Sequence, residues 1–103
     1  MSSVLVLTDR SFESTVLQSG IPVLVEFGSS WCVPSQQQKA VLDDLSEDGL
    51  VCKFGFLNTD QNPKVPRDLK VKGCPALILF KEGKEVYRGY GSHSKGSLLE
   101  VLR

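Results

Sequence analysis

One stretch restricts the possible folds more than any other. Val23-Leu24-Val25-Glu26-Phe27 is apolar on both alternating sets of positions, the pattern of a strand buried on both faces, with Glu26 as the anomaly. Gly28-Ser29-Ser30 breaks the strand, and a helix is expected to begin around Ser30–Cys32, since Pro34 is tolerated in a first helical turn. A strand buried on both faces needs layers of structure above and below its sheet.

The remaining elements supply those layers. Val4–Leu7 reads as a short strand, and Thr8-Asp9 as the N-cap pair of a helix that carries Phe12, Val16 and Leu17 and stops at Gly20. The helix that follows the central strand carries Val41, Leu42 and Leu45 and ends at Asp48-Gly49. Val51–Leu57 is a further strand, closed by the turn residues Asn58-Thr59-Asp60-Gln61-Asn62-Pro63, and a short helix is expected over Pro66–Val71. Gly73-Cys74-Pro75 leads into the strand Ala76–Phe80, Lys81-Glu82-Gly83-Lys84 turns it into Glu85–Tyr90, and Ser97–Leu102 makes a last helix after Gly91. Early strand-helix-strand alternation implies parallel pairing, and the late hairpin adds an antiparallel edge. The expectation is one mixed three-layer α/β domain over residues 1–103.

Composition narrows the function classes. A chain of 103 residues suffices for one domain, and 41% hydrophobic with 23% charged residues is ordinary globular usage. Lys plus Arg and Asp plus Glu both number 12, a zero net charge that argues against nucleic acid or an anionic membrane as partner. The longest apolar runs, Ile21–Val25 and Ala76–Phe80, are far too short to span a bilayer. No basic region followed by a long apolar one opens the chain, so no signal peptide is expected, although a removed targeting segment would leave no trace. Three cysteines, an odd number, point to a reducing compartment: the cytoplasm, or an organelle stroma or matrix. Cys32, Cys52, Cys74 and the lone His93 contain no close C-x-x-C pair, so no metal site is expected.

Chemistry concentrates in Trp31-Cys32-Val33-Pro34-Ser35, where a buried strand hands over to a helix. Ligand sites of open α/β sheets lie at the carboxyl ends of strands. A sulfur in the first turn of a helix also meets free N–H groups and the positive end of the helix dipole, and both favour a thiolate nucleophile. The plainer alternative is a buried cysteine acting as a small hydrophobe. Glu26 sits among apolar neighbours, where burial disfavours its charge and raises its pKa.

With these residues in view, the chain resembles the thioredoxin family. Trp31-Cys32-Val33-Pro34-Ser35 is similar to the family's W-C-G-P-C segment with two changes, and Val25-Glu26-Phe27 to its apolar-acid-aromatic strand. Asn58–Pro63 matches the turn after the third strand, Gly73-Cys74-Pro75 the place of a cis-proline, and Phe80-Lys81-Glu82-Gly83 with Gly91-Ser92-His93-Ser94-Lys95 the late hairpin and the glycine beside the active site. The resemblance implies a thioredoxin fold: a central mixed sheet of three parallel strands plus an antiparallel hairpin edge, with helices on both faces. It implies a thiol-disulfide oxidoreductase acting on disulfide-containing proteins, a monomer that needs no cofactor and takes electrons from a thioredoxin reductase or from glutathione. Cys32 is then the nucleophile. Pro75, Ala76, Gly91 and Ser92 are expected to line a shallow apolar groove beside Cys32 that holds an extended substrate, with Trp31 an exposed apolar platform and Val33 and Pro34 further substrate-binding residues.

The departures from the family matter most. Ser35 stands where the family has its resolving cysteine, and a hydroxyl cannot form a second disulfide, so a mixed disulfide on Cys32 persists or needs an external thiol. A natural C-x-x-S member and a serine introduced to trap partners both fit. Cys74 has two readings: a small residue filling space, or a substitute resolving thiol that would pair with Cys32. Glu26 is either a proton acceptor for Cys32 or a remnant, since Phe56 stands where a lysine often accompanies the family's acid. Gly28 replaces a frequent large aromatic, which predicts a more open wall. Gln36-Gln37-Gln38 and Ala40 replace a basic-then-apolar stretch and a helix proline, which puts ordinary thioredoxin partners in doubt. Cys52 lies at the strand end away from the site and is expected to be structural, while His93 is read as a polar residue near the last helix, able to tune local charge with pH. The rival class is a redox-inactive thioredoxin-fold module that docks a partner on the Trp31 and Pro75 surface.

Overall fold

A computed structural model describes residues 3–103. Its sheet has five strands, β1 (Leu5–Leu7), β2 (Val23–Gly28), β3 (Lys53–Asn58), β4 (Ala76–Lys81) and β5 (Lys84–Tyr90), in the order β1-β3-β2-β4-β5. β1, β3 and β2 run parallel, whereas β4 is antiparallel to both β2 and β5. The doubly apolar strand is therefore the central one, and every residue of β2 is buried. Its odd positions Val23, Val25 and Phe27 join Phe12, Val16, Leu57, Val65 and Ile78 in one apolar layer. Leu24, on the opposite face, packs with Leu42, Leu45, Phe54, Leu77 and Leu98 in the other. Helix α1 (Val33–Leu45) and α3 (Lys95–Val101) cover this second face; a π-helical segment (Glu13–Leu17) and α2 (Lys64–Asp68) cover the first. The mixed sheet of three parallel strands with an antiparallel hairpin edge is the architecture expected.

Boundaries shifted where a distant contact outweighed local signals. Asp9 does not cap the first helical segment. There the backbone N–H of each of Thr8 and Ser11 donates to the other's hydroxyl oxygen at 3.1 Å, in the manner of a capping box. The Asp9 carboxylate instead accepts the N–H groups of Lys64 (3.1 Å) and Val65 (2.8 Å), so α2 starts at Lys64 rather than Pro66. Pro66 then falls in the first turn, where its missing N–H costs nothing. β3 begins at Lys53, not Val51, because pairing with β2 starts at Val23 opposite Lys53; Val51 is exposed. α1 ends at Leu45, before the expected Asp48-Gly49, and Leu17 lies more exposed than its apolar neighbours Phe12 and Val16.

Candidate active site

The register brings three chain segments to one end of the sheet. Phe27 pairs with Ala76 and Ala76 with Tyr90, so the carboxyl end of β2, the start of β4 and the end of β5 lie side by side. The residues just beyond them are therefore neighbours: Gly28–Cys32, Cys74-Pro75 and Gly91-Ser92. The Cys74-Pro75 peptide bond is cis, and the Gly91 N–H donates to the Pro75 carbonyl at 2.9 Å. Cys52 lies at the opposite end of the sheet, in the turn that leads into β3.

Cys32 is the N-cap of α1; its carbonyl accepts the N–H groups of Ser35 (3.0 Å) and Gln36 (3.2 Å). Only 6% of its surface is exposed, whereas Trp31 (70%) and Val33 (66%) project into solvent beside it, and Pro34 is exposed. Among the described residues Cys32, Cys52 and Cys74 are all unbridged thiols. Ser92 is exposed, Gly91 is partly exposed and Pro75 is buried. Ala76 departs from expectation. It is fully buried, paired on both edges within β4, and belongs to the core beneath the site rather than to a groove wall. A concavity of about 180 Å³ lies elsewhere, between Phe12, Leu17, Val65 and Leu69, and no expected site residue lines it.

Beneath Cys32 lies a buried polar cluster. Glu26 shares the α1-facing side of β2 with Leu24, and Ser35 comes down onto it from the first turn of α1. The Ser35 hydroxyl donates to Glu26 Oε2 at 2.9 Å and accepts the Ser29 N–H at 3.3 Å; all three residues are fully buried. Glu26 Oε1 finds no hydrogen-bond partner among the described residues. Burial raises the Glu26 carboxyl to about 7, offset in part by the Ser35 hydrogen bond and the positive charge of Lys39. Lys39 rises from α1 and rests over the ring of Phe56, 4.9 Å from its centroid.

Gly28 does not open a wall of the site. A Cβ at this position would overlap the Ser35 hydroxyl and stand 3.0 Å from both Glu26 Oε2 and the Phe56 ring. The space its missing side chain leaves is taken by the serine–glutamate pair.

Cys74 is half-buried, its sulfur 4.0 Å from the Ser29 hydroxyl. Its pKa is raised, first by burial and then by the hydrogen bond and charge of the Cys32 sulfur; Ser29 and Ser35 act in the opposite sense. Cys52 is a different kind of thiol. Its S–H donates to the Lys53 carbonyl at 3.2 Å, and burial pushes it up to about 11.

Ser29, Gln38 and Tyr87 are given no place in the site by the sequence reading, and His93 only that of a polar residue near the last helix. Gln38 is buried, its Nε2 donating to the His93 carbonyl at 3.0 Å and its Oε1 accepting the His93 N–H at 2.6 Å. The ring of His93 bonds the Gly91 carbonyl through Nδ1 (2.9 Å) and the Tyr87 hydroxyl through Nε2 (2.8 Å). A carbonyl only accepts, so Nδ1 carries the proton and, in the neutral ring, Nε2 accepts from Tyr87. Together these bonds fasten the Gly91 loop to α1 and to β5. A signal for Gln38 exists in the sequence: extending the Leu45–Leu42 stripe back by helical spacing reaches Gln38 and Ser35 on the same face.

No helix of the described residues is long and apolar enough to cross a membrane. The thioredoxin family model matches residues 3–103. The thioredoxin of Rickettsia bellii is 38% identical over 98 residues, covering 93% of this chain and 92% of the relative. The thioredoxin of Mycobacterium tuberculosis is 38% identical over 102 residues, 98% of this chain and 88% of the relative, and that of Acidithiobacillus ferridurans is 36% identical over 104 residues. A cysteine at the helix start beyond the central strand, facing a cis-proline and a glycine loop, and family identity along almost the whole sequence lead to one conclusion: this chain belongs to the thioredoxin family.

Proposed function

We propose that the protein is a thiol-disulfide oxidoreductase that works through one attacking thiol, Cys32, on disulfides of other proteins. The observation that carries this reading is the position of Cys32: N-cap of α1 at the carboxyl end of the central strand, beside cis-Pro75. In the reaction the Cys32 thiolate attacks one sulfur of the substrate disulfide. A Cys32–substrate disulfide forms, the substrate's S–S bond breaks and its second sulfur leaves as thiolate. Trp31, Val33 and Pro34 supply exposed surface for the incoming chain, and Pro75 with Gly91 and Ser92 positions it.

Ser35 cannot take the second step. Its oxygen forms no disulfide, and its hydroxyl is held by Glu26. Release therefore needs a thiol from a place other than position 35. Its attack at the Cys32 sulfur frees the substrate as thiolate and leaves that thiol bonded to Cys32, and a second thiol then takes the first away as a disulfide and regenerates the Cys32 thiolate. Glutathione and a thioredoxin reductase are the donor types this chemistry accepts. A reducing compartment suits such a cycle, and no cofactor enters it.

The test compares the parent chain with Cys32→Ala in the glutathione-driven reduction of insulin. Reduction by the parent and none by Cys32→Ala is the expected result. Equal rates would refute the reading and favour a docking module built on the exposed Trp31 and Val33.

A further inference from the structure

We infer that Cys74 is the resolving thiol of this protein: it displaces the reduced substrate from Cys32 by forming a Cys32–Cys74 disulfide, while Ser35 passes its proton to Glu26. The inference rests on Cys32 being the attacking thiol and adds a second catalytic cysteine outside the helix.

The geometry gathers the parts at one point. Cys74 precedes the cis bond at the start of β4, directly across from the end of β2, and its sulfur lies 4.0 Å from the Ser29 hydroxyl. Ser29, which touches the Cys74 sulfur, also gives its N–H to the Ser35 hydroxyl at 3.3 Å, and the Cys32 sulfur and Ser35 both influence the ionisation of Cys74. Ser35 in turn donates to Glu26 Oε2 at 2.9 Å and is held by the Ser29 N–H. Ser35 thus stands between a thiol and a buried carboxylate. A hydroxyl is suited to that place, because it can accept one proton while giving up another.

The order of events follows from what opposes ionisation of Cys74. After burial, the largest opposing influence is Cys32. Once Cys32 is tied into a mixed disulfide its sulfur is neutral and has no proton to share, so the Cys32 part of the opposition is relieved while burial remains. Cys74 is thereby kept as a thiol until there is a disulfide to resolve. The second step then balances: Cys74–SH gives its proton to Ser35, whose own hydroxyl proton moves to the Glu26 carboxylate. The Cys74 sulfur bonds Cys32, the Cys32–substrate bond breaks, and the substrate leaves as thiolate. The two electrons delivered to the substrate come from the two protein thiols, and a later external dithiol or reductase restores them. Cys52 has no part, being at the other end of the sheet and bonded to the Lys53 carbonyl.

The test treats reduced protein with one equivalent of oxidised glutathione, quenches in acid at successive times, and maps the cysteines by mass spectrometry. The parent should pass through a Cys32–glutathione adduct, release a second glutathione, and end with Cys32 linked to Cys74. Cys74→Ala and the closer replacement Cys74→Ser should both stop at the adduct. Glu26→Gln should slow release of the second glutathione about tenfold or more near neutral pH without slowing formation of the adduct. A parent that stops at the adduct as Cys74→Ala does, or that carries glutathione separately on Cys32 and Cys74, overturns the inference and leaves Cys32 as the attacking thiol. Failure of Cys32 to react at all overturns both.

Discussion

Replacing Glu26 with glutamine should remove a specific, calculable part of the pH dependence of stability. The carboxyl is fully buried, one oxygen bound by Ser35 and the other without a partner among the described residues. Burial raises it from 4.5 to about 7. Between those values the folded protein holds a proton that the unfolded chain has released, so stability must fall as pH rises. The contribution is fully present below 4.5 and is lost as pH passes through about 7. At 1.36 kcal/mol per pH unit, the loss amounts to about 3 kcal/mol. Glutamine stays neutral throughout. Its amide N–H group lacks a partner and costs a roughly constant amount of about 1–3 kcal/mol, so the difference in slope carries the information. Urea denaturation of both proteins at intervals from about pH 4 to about pH 8 measures it. The gap between variant and parent should shift in the variant's favour by about 3 kcal/mol from the acid to the alkaline end. Parallel curves would refute the reasoning, because a carboxylate that pays no penalty for burial cannot be where the structure puts it.

Other perturbations probe the neighbouring contacts. Gly28→Ala drives a methyl into the Ser35 hydroxyl and should destabilise by about 1–3 kcal/mol in urea melts, with Ser35→Ala in the same chain recovering part of the loss. Gln38→Leu strands the N–H and carbonyl of His93 and should cost at least ~2 kcal/mol, and hydrogen exchange should quicken first at the His93 amide. Asp9→Ala uncaps α2 and should cost about 1 kcal/mol by thermal melting, with faster exchange at Lys64 and Val65.

What the sequence discloses follows the range of the forces involved. The central strand is legible because burial on both faces writes apolar residues at every position from Val23 to Phe27 except Glu26, and the hairpin because Glu82-Gly83 marks its turn. The placement of α2 is not legible from its own residues. It is set by Asp9, more than fifty positions earlier, whose carboxylate fixes where the first free N–H groups must lie. The start of β3 is likewise set by its partner strand rather than by the apolar Val51. In the site, Cys32, Glu26 and Cys74 stand out as reactive or misplaced residue types. Gln38 does not, since a glutamine beside two others reads as solvated surface until helical spacing from Leu42 turns it inward. Gly28 misleads for a related reason. A missing side chain signals room, but only the fold tells which neighbour fills it, and here the serine at position 35 and the buried acid do. Ala76 errs the same way, since a residue one position past the cis-proline alternates to the core side of β4.

The claim on which the account depends is that Cys32, though mostly covered, is the thiol that attacks. Mixing reduced protein with oxidised glutathione, quenching within the first turnover and locating the adduct tests it most directly. The account predicts glutathione on Cys32 ahead of Cys74, with Cys52 unmodified; first appearance on Cys52 or Cys74, with Cys32 still free, would contradict it.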